Sequence, residues 1–305
     1  VDRAMPGETI NLLPGVYQQD IISKRDGTNN APITITGTRA AIVQGGGESR
    51  IVQIHHDYLT LQGFTIDGKY RETHTPDSYR DKLIYAIGTQ PQDGVSGLRI
   101  LNMDLKNAGG ECVRLRYFAQ NNEIANTSIT GCGIHDFSFA DGGKNGEGIY
   151  IGTAPEQRTD KKNPTADPDE SYYNWIHHNT INTKGNECVD IKETSRFNIV
   201  EYNDCTGQRD IESGGMDSRG EENIFRHNTI HDNQGAGIRL GGDEDVDGIN
   251  NQIYNNTIVN NASGGIKIQT WPQGSMICEN TMSNNKGGNG VGDYGDRIKP
   301  TQSCP

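Results

Sequence analysis

Short runs in which apolar and polar residues alternate recur along the chain, as in Ile33-Thr-Ile-Thr36, Leu59-Thr-Leu-Gln62 and Ile266-Lys-Ile-Gln269. Alternation with a period of two puts every second side chain on one face of a strand, so these runs predict short half-buried β segments rather than helices. The 39 Gly and 11 Pro spread through 305 residues reinforce that reading, because both residues interrupt helices. The segments also repeat. A unit of Asn, an apolar triplet and a second Asn five residues on occurs at Asn121–Asn126, Asn174–Asn179, Asn198–Asn203, Asn223–Asn228 and Asn251–Asn256. The second Asn falls at 102, 126, 179, 203, 228, 256 and 280, so the spacings are 24, 53, 24, 25, 28 and 24. Gly15, Gly37 and Gly63 continue the series upstream.

A period near 24 made of short strands and Asn/Gly corners predicts an all-β, single-stranded right-handed parallel β-helix of about ten coils, spanning residues 1–305 as one domain. At about 4.8 Å per coil the rod would be roughly 48 Å long. Stacked coils bury a continuous interior of Ile, Val and Leu, and an Asn repeated at one corner predicts a side-chain ladder along the axis. Insertions are expected near 69–94, 137–145 and 153–173; the last two account for the 53-residue spacing. Loops of that length in a compact fold are often functional.

Superposing the later units gives a second strand with a shared pattern: Glu111–Arg116, Glu147–Gly152, Glu187–Lys192, Gly214–Arg219, Ala236–Gly241 and Gly264–Gln269. Period two then predicts three outward columns. The first stacks Glu111, Glu147 and Glu187. The second stacks Arg114, Tyr150, Asp190, Asp217, Arg239 and Lys267. The third stacks Arg116, Gly152, Lys192, Arg219, Gly241 and Gln269. A face this rich in charge, with small residues beside it, reads as a groove for a polymer. Stacked carboxylates repel unless protonated or bridged by a cation, so Glu111, Glu147 and Glu187 are candidate oxygen ligands for Ca²⁺. Alternatively, Arg114 and Arg116 neutralise them with no metal.

The net charge of −12 excludes a general nucleic-acid binder, which needs a basic face for phosphates. No apolar run approaches the ~18 residues of a membrane span. A start at Val1, six Cys, and the sequons at Asn126, Asn255 and Asn261 lead us to expect a secreted, extracellular, monomeric glycoprotein. Sequential pairing, Cys112 with Cys132, Cys188 with Cys205 and Cys278 with Cys304, keeps each bridge within about one coil and is one of fifteen connectivities. His177, His178, His227 and His231 lie near the Asn corners, away from the charged columns.

The segments Glu187-Cys-Val-Asp-Ile-Lys192, Asp217-Ser-Arg219-Gly220 and Gly237-Ile-Arg239-Leu-Gly241 resemble the central signature of the chondroitinase B and alginate lyase family of β-helical polysaccharide lyases. Met5-Pro-Gly7 and Pro14-Gly15-Val-Tyr17 are similar to its N-terminal motif. The resemblance implies Lys192 as base, Arg219 as acid and Glu187 as a Ca²⁺ ligand. It departs at Gly185, where the family has a second acidic ligand, and at Gly220, which directly follows Arg219. The implied reaction is β-elimination on a uronic-acid-containing acidic polysaccharide, with Arg114, Arg116, Tyr150, Asp190, Asp217, Arg239 and Lys267 as substrate-binding candidates, and with Arg219 or Tyr150 assisting the leaving oxygen. Two other readings stay open. Asp190 and Asp217, on consecutive coils, suit a glycoside hydrolase, and the same groove suits a non-catalytic carbohydrate-binding module.

Overall fold

A computed structural model describes residues 2–140, 143–242 and 246–305. Every coil contributes one strand to each of three ten-stranded sheets. The first sheet runs from Thr9–Leu12 to Met276–Cys278, the second from Gly15–Tyr17 to Thr281–Ser283, and the third from Ile21–Ile22 to Gly290–Val291. All strand pairs within these sheets are parallel, so the chain is the expected parallel β-helix of about ten coils. The interior is a column of Ile, Leu and Val with almost no exposure, for example Ile100, Ile124, Ile176, Val200, Phe225 and Ile253 in the first sheet.

The corners carry the polar part of the repeat. Asn179, Asn203, Asn228, Asn256 and Asn280 form one buried ladder, in which each side-chain amide donates to the next Asn carbonyl at 2.9–3.0 Å. Each also donates to a strand carbonyl, as Asn203 Nδ2 does to Ile176 O at 2.9 Å. A second ladder joins Asn122, Asn174, Asn198 and Asn223. A third joins Asn233, Asn261 and Asn285. The Asn side chains thus satisfy backbone groups that a buried corner would leave unpaired. Two positions differ from the expected register. Asn102 and Asn126 lie one residue before the ladder, at left-handed corner positions with φ of 54° and 53°. Met103 and Thr127 take the ladder places, and Thr127 N donates to Asn179 Oδ1. An Asn-Thr pair and a His-Asn pair look one residue out of phase in the sequence because Asn suits both the left-handed corner and the ladder.

The three disulfides follow the sequential pairing, Cys112–Cys132, Cys188–Cys205 and Cys278–Cys304. Asn126 and Asn255 are exposed, whereas Asn261 is fully buried in its ladder, which withholds it from any modifying enzyme once the coil has closed.

The insertions differ in one respect from expectation. Segment 69–94 is two loops around a strand of the third sheet, Lys82–Ile87, paired with Arg50–Ile54 and Val113–Arg116. The segment 137–145 begins inside a short helix, Ile134–Ser138; residues 141–142 lie outside the described residues. The insertion 153–173 folds back over the third sheet as a strap. Its anchor is Asp169, fully buried, whose carboxylate accepts from Tyr117 N, Phe118 N, the Thr153 hydroxyl and the Ser171 hydroxyl.

Candidate active site

The third sheet has the register that the superposition predicts. Tyr85, Arg114, Tyr150, Asp190, Asp217, Arg239 and Lys267 are successive Cα partners. The inward neighbours, Val113, Ile149, Val189, Met216, Ile238 and Ile266, are completely buried, which fixes the alternate residues outward. These outward residues are nevertheless shielded from solvent. Arg114, Tyr150, Asp190 and Asp217 are 3% exposed or less, because the strap and the neighbouring side chains cover them.

The upper end of this face is closed by ion pairs. Glu111 is bound by Lys82 at 2.5 Å and by Arg114 at 2.9 Å. Arg114 lies 3.4 Å over the Tyr150 ring and donates to Gln157 Oε1 of the strap. Arg116 donates to Asn163, Asp160 and the Gln157 carbonyl, so it anchors the strap rather than facing an open groove. Lys82 belongs to the strand concealed in segment 69–94; its ammonium and the Arg114 guanidinium together take Glu111 out of the expected carboxylate set.

The set that assembles is instead Glu147, Glu187 and Asp190, each buried and offering one oxygen, with these atoms all within 4.8 Å of one another. Asp190 stands beside the two glutamates, where Gly185 leaves the expected acidic position empty of a side chain. Lys192 Nζ is 2.8 Å from Asp190 Oδ2 and 4.9 Å from the Tyr150 ring centre. Arg219 reaches Glu193 at 3.3 Å and Asp217 at 3.9 Å, and Arg239 reaches Asp217 at 3.2 Å. The Ser213 hydroxyl donates to Glu187 Oε1. Glu187 Oε2 has no hydrogen-bond partner. Lys267 is turned to the Glu212 carbonyl at 2.7 Å, at the edge of this group. Glu147, Tyr150, Glu187, Asp190, Lys192, Arg219 and Arg239 line a cleft of about 260 Å³ together with Glu156 and Gln157 of the strap and with Asp210, Glu212 and Ser213. The loop bearing Asp210 to Ser213 escaped the strand-based reading because it lies outside the repeated pattern.

Burial and crowding set the charge states. Burial, then Glu111 and Asp190, push the Glu147 carboxyl up to about 7. Burial, then Asp190 and Glu147, hold Glu187 well above the ordinary carboxylate range. Burial also raises Asp217, against the pull of Arg239. Burial alone would lower the Lys192 pKa, but Asp190 and then Tyr150 outweigh it, and Lys192 is an ammonium well above neutral pH. Burial raises the Tyr150 hydroxyl, so it is protonated and able to donate.

The donor set suits a hard divalent cation. Three carboxylates, two of which (Glu187 and Asp190) have a buried oxygen without a hydrogen-bond partner, match the oxygen coordination of Ca²⁺.

Residues 121–299, more than half of the chain, match the family model described as "Periplasmic copper-binding protein (NosD)". No curated protein matches the sequence. Among solved structures, the chain is similar to an alginate lyase from Paenibacillus sp. str. FPU-7, at 18% identity and a TM-score of 0.70 over 95% of this chain and 93% of that one. It is also similar to pectate lyase Pel9A, at 12% identity and 0.58 over 95% and 71%. DFA-IIIase from Arthrobacter chlorophenolicus A6 aligns at 12% identity and 0.56 over 91% and 77%. At such identities what is shared is the fold. Among the described residues, no helix is long and apolar enough to cross a membrane.

Proposed function

We propose, from the premise that the chain belongs to the NosD family, that it is a polysaccharide lyase acting outside the cytoplasm on a uronic-acid-containing polymer. The observation that carries this reading is the convergence of Lys192, Tyr150 and Arg219 with a buried carboxylate cluster on the floor of one elongated face. Supporting it, the solved structures with the same fold include an alginate lyase and a pectate lyase. The segments around Lys192 and Arg219 also resemble the signature of the chondroitinase B and alginate lyase family. Three disulfides suit an oxidising compartment, and the family description is periplasmic.

In this reading Arg219, the least covered cation of the cluster, binds the substrate carboxylate and stabilises the charge that develops as the C5 proton leaves. Lys192 takes that proton. The C5–H electrons form the C4–C5 double bond, the C4–O4 bond breaks, and the Tyr150 hydroxyl protonates the departing oxygen. Lys192 must lose its own proton first, and its contact with Asp190 opposes that. A Ca²⁺ held by Glu147, Glu187 and Asp190 would supply the positive charge that offsets Asp190 and favours the neutral amine. Copper, named in the family description, does not fit here: the cluster offers hard carboxylates and no imidazole or thiolate, and all six Cys are in disulfides.

The test is ultraviolet absorbance of the unsaturated product during incubation with alginate, pectate, glucuronan and glycosaminoglycans, with Ca²⁺ and with chelator. Wild type is expected to produce that absorbance on one of them. Lys192→Ala should lower the rate by roughly 10²–10⁴-fold, the contribution of general-base catalysis. New reducing ends without absorbance would replace this reading by hydrolysis at Asp190 and Asp217, which are register neighbours.

A further inference from the structure

A second cavity opens on the same face, on the far side of the strap. It has a volume of about 370 Å³, and its lining includes Arg50, His55, Tyr85, Thr89, Lys161 and Lys162. None of its lining residues is acidic, in a chain whose net charge is −12. Arg50 and Lys161 have no carboxylate partner among the described residues, and Lys162 reaches Asp160 only at 3.4 Å. The Arg50 guanidinium is fixed 3.6 Å over the Tyr85 ring, which pre-organises its donors. Tyr85 is 1% exposed, yet its hydroxyl has no hydrogen-bond partner. A buried phenol without a partner is costly, and a ligand acceptor would satisfy it.

We propose that this cavity is a distal subsite that binds a carboxylate of the same polymer, through Arg50, the Tyr85 hydroxyl and Lys161. The proposal rests on the polymer-acting reading above and adds to it a contact remote from the reacting bond. Tyr85, Arg114, Tyr150 and Asp190 are successive register partners, so the subsite lies three coils, roughly 14 Å, from the acidic cluster. A guanidinium, a hydroxyl and an ammonium together are a donor set for a planar anion. The strap supplies Lys161 and Lys162 to this cavity and Gln157 to the cleft, so the two sites flank one covering segment.

Binding is measured by affinity electrophoresis with alginate, polygalacturonate, carboxyl-reduced polygalacturonate and a sulfated neutral glycan. The proteins compared are Lys192→Ala, which prevents turnover, and the same protein carrying Arg50→Ala, Lys161→Ala or Tyr85→Phe. At least one uronate polymer should be retarded and the carboxyl-reduced polymer should not. Each added substitution should weaken the retardation by about tenfold, the loss of one charge-assisted contact. Tyr85→Phe should do so without lowering thermal stability, an effect that a structural role for the hydroxyl would not give. Unchanged binding in all three variants, retardation of the sulfated glycan alone, or no retardation of any polymer would overturn the subsite. Product absorbance by wild type is followed in parallel. Retardation that depends on Arg50 and Lys161, with no absorbance on any polymer, would remove the lyase reading and leave the subsite standing.

Discussion

At the scale of single residues, the site is governed by an excess of buried carboxylates over cations. Glu147, Glu187, Asp190, Asp217 and Glu193 share one neighbourhood with Lys192, Arg219 and Arg239. The imbalance is relieved by protons or by a cation, and the two compete. Glu147 is protonated in the folded chain at pH values where the unfolded chain has ionised it. Its contribution to stability is therefore present below about 4.5, the ordinary Glu value, and is lost as the pH rises through about 7. Thermal melts in chelator should show stability falling across that window by something on the order of 1–3 kcal/mol. Glu147→Gln, which mimics the protonated acid, should flatten the slope, and Ca²⁺ should raise the melting temperature most at the alkaline end. A chelated wild type whose stability rises from pH 4.5 to 7 would contradict this account of the cluster.

Among elements, the strap is the part that the repeat does not dictate. Arg114 and Arg116 hold its first half, and its far end is tied down by Asp169, which accepts from two backbone amides and two hydroxyls. Asp169→Ala would orphan the amides of Tyr117 and Phe118, at about 1–3 kcal/mol each. We expect limited proteolysis to cut within 153–171 in that variant while the coils remain resistant; equal resistance to wild type would show that other contacts hold the strap. The strand-by-strand register of the third sheet was legible in the sequence, because Val113, Ile149, Val189, Met216, Ile238 and Ile266 mark the inward position in every coil. The strand Lys82–Ile87 was not, since Leu83 stands where every later coil carries Cys or Gly, and long polar loops flank it on both sides. That omission propagated to the site. Without Lys82, Glu111 could be read either as a metal ligand or as neutralised by Arg114 and Arg116; Lys82 and Arg114 together pair it, and Asp190 lies with the two remaining glutamates. Outward position likewise did not reveal burial, because the strap that covers Arg114 and Arg116 contacts them from up to 47 residues away in the chain.

For the molecule as a whole, stability resides in contacts between coils. Asn203 is representative: it donates to Ile176 O and Asn228 Oδ1 and accepts from the backbone amide and the side chain of Asn179. Asn203→Ala removes these at mid-ladder and should cost about 2–4 kcal/mol, read as a lower denaturant midpoint with an unchanged slope. A loss of less than about 0.5 kcal/mol would mean that the neighbouring coils relax to re-pair the freed groups. The C-terminal segment covers the last rungs in the same manner, with Glu279 N donating to Gln302 O and Asn280 N to Pro300 O beside the Cys278–Cys304 bond.

The straight outward columns give the rod the property of a graduated ruler. Every coil advances the same outward position by a constant step of about 4.8 Å, and that step is set by the backbone rather than by the side chain it carries. Moving a guanidinium from one coil to the next therefore translates its point of contact by one graduation and leaves the interior unchanged. For a polymer lying along the axis, selectivity for chain length and for the spacing of its charges is written in which coil bears which residue. It can be rewritten by transposing residues between coils, with no reshaping of a pocket.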